Sequence, residues 1–287
     1  MDLIFHRDIN TTLGLFTLSV EKEDLSSIYP NMIRFAVMVR FGEQIVAVFR
    51  TNTYEYSPTV PLKAEQVVME KTERWAGDLL HDPQNFLSSH VIRKEKKSFI
   101  PPTDVLIIQG SPRAGGNCSI LAGWVKTTAE EHKRTARVIY PHDLNIRSCI
   151  GCYQCYNTGT CTFDDDMVEI IDAIRNATLL VICSPIYTNS VPGGLKLLID
   201  RCQAYHAELT INGYRGKQKK GLILSVAGRR GRSHFTCVTN VVSAFLRNLG
   251  VKPSGEVLID GMDEIQDIRK VPGLAERVRT IVVTCLD

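Results

Sequence analysis

The stretch "DVLIIQGSPRAGGNCSILAGWVKTTAEEHKR" (residues 104–134) predicts a strand, a glycine-rich turn and a helix. The run "DVLIIQG" (104–110) is short and apolar, as expected of a fully buried strand, and the run from 118 to 134 predicts a helix. The sequence "GSPRAGGNCS" (110–119) therefore joins a strand to a helix, as in a parallel α/β sheet.

The same alternation continues to residue 260. Further strands are predicted at 136–141, 178–185, 220–228 and 256–260, and further helices at 164–177, 193–205 and 234–250. Strands that alternate with helices in this way predict a doubly wound five-stranded parallel sheet with helices on both faces.

The first hundred residues have a different pattern. "IRFAVMVRF" (33–41) and "QIVAVFR" (44–50) predict a hairpin, and "KAEQVVMEKTERWAGDLL" (63–80) predicts a helix. We expect a small α+β domain of unknown role over 1–102, and a second domain over 103–287 with a cysteine-rich insertion at 148–163. The charged, proline-containing run 93–104 is the predicted linker.

Composition excludes several classes of protein. The net charge of +3 is too small to indicate binding to nucleic acid or to an anionic membrane. No apolar run reaches the roughly 20 residues that span a bilayer, and the N-terminus lacks the apolar core of a signal peptide. We therefore expect a cytoplasmic protein, in which the nine cysteines indicate metal or redox chemistry before disulfides.

The glycine-rich turn predicts an anion site at the carboxyl end of the first parallel strand. Ser111, Asn117 and Ser119 supply side-chain donors, and Arg113 supplies a charged fork suited to phosphate. A P-loop is excluded because Gly116–Asn117 stands where Lys and Ser or Thr are required, and the dinucleotide fingerprint is absent. A plain turn without a ligand is the alternative.

The cysteine segment "SCIGCYQCYNTGTCTF" (148–163) contains Cys149, Cys152, Cys155 and Cys161 with the spacing C-x2-C-x2-C-x5-C. Bacterial ferredoxins begin with the same two gaps, but here the third gap is longer and Thr162 replaces the usual proline. An iron–sulfur cluster, zinc and four metal-free thiols all stay open on the residues alone. The aspartates at 164–166 are expected to cap the next helix, or else to lower a cluster's potential.

The runs 105–119 and 184–201 ("SPIYTNSVPGGLKLLIDR") resemble the flavodoxin-like family of NADPH-dependent FMN reductases. The resemblance implies a flavodoxin-like fold with FMN held by three loops. The phosphate role falls to Ser111, Arg113, Asn117, Cys118 and Ser119, the ring role to Pro185, Ile186, Tyr187, Thr188 and Asn189, and further contacts to Ala227 and Gly228 in "SVAGRRG". Cys118 departs from the Ser or Thr often found there.

With the cysteine segment included, the chain resembles the iron–sulfur flavoproteins. That resemblance implies a 4Fe–4S cluster on the four cysteines, one FMN per subunit, and a dimer or tetramer of identical chains. The expected function is an oxidoreductase that passes electrons between cluster and FMN to reduce or oxidise a small-molecule substrate. Its expected electron donors are NAD(P)H, ferredoxin or another carrier. The alternatives are a cluster-free NAD(P)H-dependent FMN or quinone reductase and a non-catalytic zinc- or redox-sensing flavin-binding module.

Overall fold

The computed structural model describes residues 1–57, 62–90, 103–213 and 218–286, which form two compact units. The first unit combines the described residues up to 90 with Ile150–Thr162, and the second contains the other described residues. Most of the predicted linker at 93–104 lies outside the described residues, as does the predicted boundary at 102. The placement of Ile150–Thr162 differs from the predicted insertion in the second domain.

The first unit contains a four-stranded antiparallel sheet in the order β1-β2-β3-β4. Its strands are β1 (Asp2–Thr11), β2 (Gly14–Asp24), β3 (Ile33–Phe41) and β4 (Gln44–Asn52). Phe41 pairs with Gln44 across a two-residue turn in which Gly42 has a φ of 60°. The predicted hairpin is thereby confirmed, and β1 and β2 extend it into a meander.

One face of this sheet packs on helix α1 (Ala64–His81), which is followed by α2 (Pro83–Ser89). The alternating residues of β3, among them Val37 and Val39, share a buried core with Val68 and Trp75 of α1. The α+β character predicted for the N-terminal part is therefore confirmed.

The second unit contains a five-stranded parallel sheet in the order β6-β5-β7-β8-β9. Its strands are β5 (Val105–Gln109), β6 (Ala136–Ile139), β7 (Leu179–Pro185), β8 (Lys219–Val226) and β9 (Val251–Ile259). This is the flavodoxin-like order, with its switch point between β5 and β7. The predicted fold class is confirmed.

Helices cover both faces of this sheet. They are α3 (Asn117–Glu131), α4 (Met167–Asn176), α5 (Gly193–Arg201), α6 (Gln203–Asn212), α7 (Thr236–Asn248) and α8 (Leu274–Leu286). One buried cluster unites the sheet with α4 to α7, and a second unites its other face with α3 and α8. Helix α8 is not among the predicted elements. None of the described helices is long and apolar enough to cross a membrane.

Candidate active site

A cavity of about 1000 Å³ lies within the second unit, at the carboxyl ends of β5, β7 and β8. Every flavin-contacting residue predicted from the sequence lines it except Ser119. Parallel strands end at the same edge of a sheet, so loops far apart in sequence meet there. The structure thus brings the three predicted loops together around one space.

The first of these loops is shaped by a buried amide at the end of β5. The Gln109 side chain is fully buried; its Nε2 donates to Ser119 Oγ (2.9 Å), and its Oε1 accepts from the backbone amide of Ser111 (2.6 Å). Gln109 therefore fastens both arms of the glycine-rich turn. Ser119 is engaged in this contact and lies outside the cavity lining. Sequence reasoning missed Gln109, although a polar residue closing an apolar strand was a signal.

The start of α3 offers an anion site at the cavity. Gly116 precedes the helix, and no side chain caps the amides of its first turn. The Gly116 carbonyl accepts from the amides of Ser119 and Ile120, so among the described residues the amides of Asn117 and Cys118 are the ones left for an anion at the positive end of the helix dipole. Arg113 is exposed, and within the described part of the chain its guanidinium makes no ion pair or hydrogen bond. The loop is therefore suited to a phosphate.

Two predicted phosphate residues are poorly placed to hold a phosphate through their side chains. Asn117 Nδ2 donates to the carbonyl of Gln266 (3.1 Å), and Asn117 Oδ1 accepts from the amide of Ile268 (3.1 Å). Cys118 is buried, and burial raises the pKa of its thiol to about 12, so the thiol stays neutral. Asn117 ties α3 to a distant loop, and Cys118 is a weak donor at most.

The second loop is a tight hairpin after β7. Tyr187 and Ser190 exchange two backbone hydrogen bonds of 2.9 Å across the turn Thr188–Asn189. Both turn residues have a positive φ (47° and 56°), which is rare for a β-branched residue such as Thr188. Strained backbone of this kind clusters at binding and active sites. Tyr187 remains 38% exposed beside the cavity, where its ring could border a flat ligand.

A fourth wall of the cavity was not predicted. It is the segment after β9, and it contributes Met262, Asp263, Gln266, Asp267 and Arg269. This wall is joined to the third loop, because Met262 and Asp263 donate their amides to the carbonyls of Ala227 and Gly228 (both 3.0 Å). A Cβ on residue 228 would lie 2.4 Å from an oxygen of the Asp263 carboxylate, so a larger residue there would have to displace that side chain. The position of this segment, directly after a parallel strand, was the available signal.

Some of the charge around the cavity is paired. Arg269 lies 2.7 Å from Asp267 and lowers the pKa of that carboxyl to about 2. Arg230 pairs with Glu264 (2.6 Å). Among the described residues, Arg113, Arg229 and the lining carboxylate of Asp263 form no ion pair, so the charged side chains that line the cavity carry a small net positive charge that favours an anionic ligand.

The cysteine segment belongs to neither unit as a whole. Cys152, Cys155 and Cys161 are half-buried in the first unit, and Cys149 is exposed at the edge of the second. Among the residues the structure describes, no three His, Cys, Asp or Glu side chains converge on a point that a single ion could occupy. In a 4Fe–4S cluster each thiolate binds a different iron, so the four thiols fit that group by donor type and number.

The aspartates after the cysteine segment do more than cap a helix. Asp165 Oδ1 accepts from the amide of Met167 at the start of α4 (3.2 Å), whereas the N-cap residue itself, Asp166, makes no side-chain cap hydrogen bond. The other oxygen of Asp165 accepts from the amide of Arg147 (3.0 Å) and from Arg201 (2.5 Å). Asp166 accepts from the amide of Asn145 (2.8 Å). Both stems of the segment are therefore joined within the second unit.

The family match falls mainly on the second unit. A family model described as NADPH-dependent FMN reductase matches residues 103–262. An iron–sulfur flavoprotein of Methanosarcina thermophila is 32% identical over 43% of this chain and 62% of that protein, so the match spans less than two thirds of this relative. An iron–sulfur flavoprotein of Methanocaldococcus jannaschii is 29% identical over 50% of this chain and 71% of that protein. One of Archaeoglobus fulgidus is 27% identical over 60% of this chain and 76% of that protein.

Proposed function

This chain belongs to the NADPH-dependent FMN reductase family, and on that premise we propose that it is an oxidoreductase that binds FMN in the cavity of its second unit. We propose further that Cys149, Cys152, Cys155 and Cys161 hold a 4Fe–4S cluster. In this proposal electrons pass between cluster and flavin so that a small acceptor is reduced or oxidised.

The convergence of three loops on one cavity supports the flavin site most directly. A volume of about 1000 Å³ is ample for a cofactor of this size. Arg113 and the first amides of α3 would hold the phosphate, since both offer donors with positive charge. Tyr187 and the turn after it would border the ring, while Gly228 lets the backbone approach closely. Bound FMN would supply one- and two-electron chemistry that the side chains lack.

The proposal of a cluster is supported by the chemistry of the four thiols and by similarity to known proteins. Four thiols with ferredoxin-like spacing are the ligand set that a 4Fe–4S cluster takes, and the relatives named above are called iron–sulfur flavoproteins. The thiols would have to bind as thiolates, so loading should release protons.

We propose an electron donor and an assembly of identical chains as partners. NAD(P)H, ferredoxin or another carrier would deliver electrons, and identical chains would assemble as a dimer or tetramer. Light scattering of the purified protein tests the assembly, and anaerobic mixing with NADH or NADPH tests the donor by loss of the flavin absorbance.

One preparation tests both cofactors. Protein purified without oxygen should contain about one FMN and about four irons per chain, and its broad visible absorption should bleach on reduction. Cys152→Ser should lose the iron and keep the flavin, because the cavity lies within the second unit. Cys237→Ser, which alters an exposed cysteine outside the segment, is the matched control and should keep both.

The contrary results separate the two halves of the proposal. A folded protein that fails to take up FMN on titration would overturn the flavin assignment. Flavin without iron after anaerobic reconstitution would remove the cluster and leave the cluster-free FMN or quinone reductase.

A further inference from the structure

A buried polar network in the first unit surrounds the middle of the cysteine segment. Glu55 lies at its centre: its carboxylate accepts from Asn157 Nδ2 (2.5 Å) and from Gln154 Nε2, both on the segment. The same carboxylate accepts from the amide of Asn52 (2.8 Å) and from Thr51 Oγ1 (3.3 Å) at the end of β4. The Glu55 side chain thus joins the end of the N-terminal sheet to the residues on both sides of Cys155.

Asn52 makes a second set of contacts with the segment. It is fully buried, and its Oδ1 accepts from the amide of Tyr54 (3.0 Å) as part of a capping box with Glu55. This contact fixes the orientation of the amide, so its Nδ2 faces the segment. There it donates to Asn157 Oδ1 (2.8 Å) and to the carbonyl of Tyr153 (3.2 Å).

Arg34 holds the segment at a third point. Its Nη1 donates to the carbonyl of Tyr156 (2.9 Å), while its Nε is held by Glu23 (2.8 Å) on the neighbouring strand. The ring of Tyr156 is fully buried and packs edge-on against Tyr29 at 5.3 Å between ring centroids. The contacts therefore fix both the backbone and the side chains around Cys155.

The backbone between Cys152 and Cys155 is strained. Tyr153 has a φ of 56°, which is an outlier for a bulky residue. Such a conformation persists only where the surroundings impose it. The hydrogen bond from Asn52 and the rings of Tyr54 and Tyr29, at 5.1 and 5.7 Å, supply these surroundings. Without them the segment would relax and the thiols of Cys152 and Cys155 would change their relative positions.

We propose that the first unit positions the thiols of the cysteine segment, and that Glu55 is the principal positioning residue, acting through Gln154 and Asn157. This assigns a role to the N-terminal sheet. The inference rests on the proposed function where the thiols bind iron, but the positioning itself is independent of any metal.

The test compares Glu55→Gln with Glu73→Gln in the full chain. Glu55→Gln keeps the side-chain volume, but it replaces one accepting oxygen of the carboxylate with an NH₂ group that faces other hydrogen-bond donors. Glu73 lies exposed on α1 and pairs with Arg7 (3.2 Å), away from the segment, so it is a matched control. Hydrogen exchange of the metal-free protein should become at least about tenfold faster over residues 150–162 in Glu55→Gln and stay unchanged in Glu73→Gln.

A second measurement reports on the thiols. After anaerobic loading with iron and sulfide, Glu55→Gln should bind less iron, or bind it with a shifted reduction potential, while its affinity for FMN stays as in the wild type. Should Glu55→Gln fail to fold, Asn157→Leu serves instead, because it leaves the Asn52–Glu55 capping box intact, and Glu73→Gln remains the control.

The outcomes are distinguishable. Equal hydrogen exchange over 150–162 in the wild type and in Glu55→Gln overturns the positioning role. If the wild type loads iron, an unchanged iron affinity and reduction potential in Glu55→Gln overturn it as well. If exchange is faster in Glu55→Gln but the wild type takes up no iron, the positioning role is supported and the cluster is removed from the proposed function.

Discussion

Asp165 and Arg201 form an ion pair in which each side chain is only 1% exposed. Arg201 Nη1 lies 2.5 Å from one carboxylate oxygen and Nη2 3.0 Å from the other, so the contact is bidentate. Arg201 also donates to the carbonyl of Arg147 (2.7 Å). The pair therefore holds together the two stems from which the cysteine segment leaves the second unit.

Removing one partner of this pair should strongly destabilise the fold. Arg201→Met leaves a buried carboxylate without its cation, and we expect the unfolding free energy to fall by about 3–5 kcal/mol. Adding Asp165→Asn removes the buried charge and should recover part of the loss. Urea unfolding of the single and double variants measures both effects. Lys196→Met, which breaks the exposed Lys196–Asp200 pair on the same helix, should cost less than about 1 kcal/mol. A double variant no more stable than Arg201→Met would contradict this account.

Lys219 should make stability depend on pH in the alkaline range. Burial, together with the nearby charge of Arg175, lowers the pKa of Lys219 to about 8, although its Nζ donates to the carbonyls of Ile174 (2.5 Å) and Arg175 (2.8 Å). Above pH 8 the folded chain releases a proton that the unfolded chain keeps up to about pH 10.4. Stability therefore rises with pH across this window, by up to about 3 kcal/mol.

The check for Lys219 is a difference measurement. Tyrosines and cysteines also titrate in this range, so urea unfolding at pH 7.5, 9 and 10 is compared between the wild type and Lys219→Met. As the pH rises, the free energy of unfolding of the wild type should increase relative to that of Lys219→Met. Parallel curves would show that the two carbonyls fully compensate the burial of the ammonium group.

Gln109 should organise the anion loop without touching the ligand. Gln109→Leu keeps the bulk but leaves the Ser111 amide without its acceptor, so we expect a loss of about 1–3 kcal/mol in stability and roughly tenfold weaker FMN binding. FMN titration of the metal-free protein measures the second effect. Thr128→Val, in the last turn of α3, removes a buried hydroxyl bond to the carbonyl of Trp124 far from the loop and should leave FMN affinity unchanged.

Arg113 is the only cation in the loop 110–119 and should bind the phosphate directly. Arg113→Ala should weaken FMN binding by about 1.5–3 kcal/mol, the range for a charged hydrogen bond. The matched control is Arg230→Ala on the third loop, because Arg230 is paired with Glu264 and lies outside the cavity lining. Equal dissociation constants for wild type and Arg113→Ala would remove the assigned phosphate role.

The second unit was predictable because its signals are local. The three central strands β5, β7 and β8 each contain a short apolar run, and the carboxyl-edge rule then places the loops that follow them together. The wall at 262–269 escaped prediction because its link to the site is long-range. The contact that orients it, Asn117 with Gln266, joins residues 149 positions apart.

The surroundings of the cysteine segment were unpredictable for a similar reason. Spacing identified the four cysteines, but Glu55 and Gln154 meet across 99 positions, and such a contact leaves no periodic pattern in either stretch. Asp165 was expected among the residues that cap the next helix; it lies two residues before α4 and accepts from the amide of Met167. Its pairing with Arg201 could not be read from the chain, because the two residues lie 36 positions apart and no periodic pattern links them.

Deletion of residues 1–102 should separate the two proposed cofactors. All residues that line the cavity lie between 111 and 269 in the second unit, so the chain 103–287 should bind FMN within about threefold of the full-length affinity. The cysteine segment would lose the contacts of Glu55, Asn52 and Arg34, and we expect the truncated chain to hold little iron after anaerobic loading. Circular dichroism establishes that it is folded, and FMN titration and iron analysis give the two results. A folded chain 103–287 without flavin binding would show that the first unit helps to build the flavin site, and full iron loading would show that the segment needs no support from the N-terminal sheet.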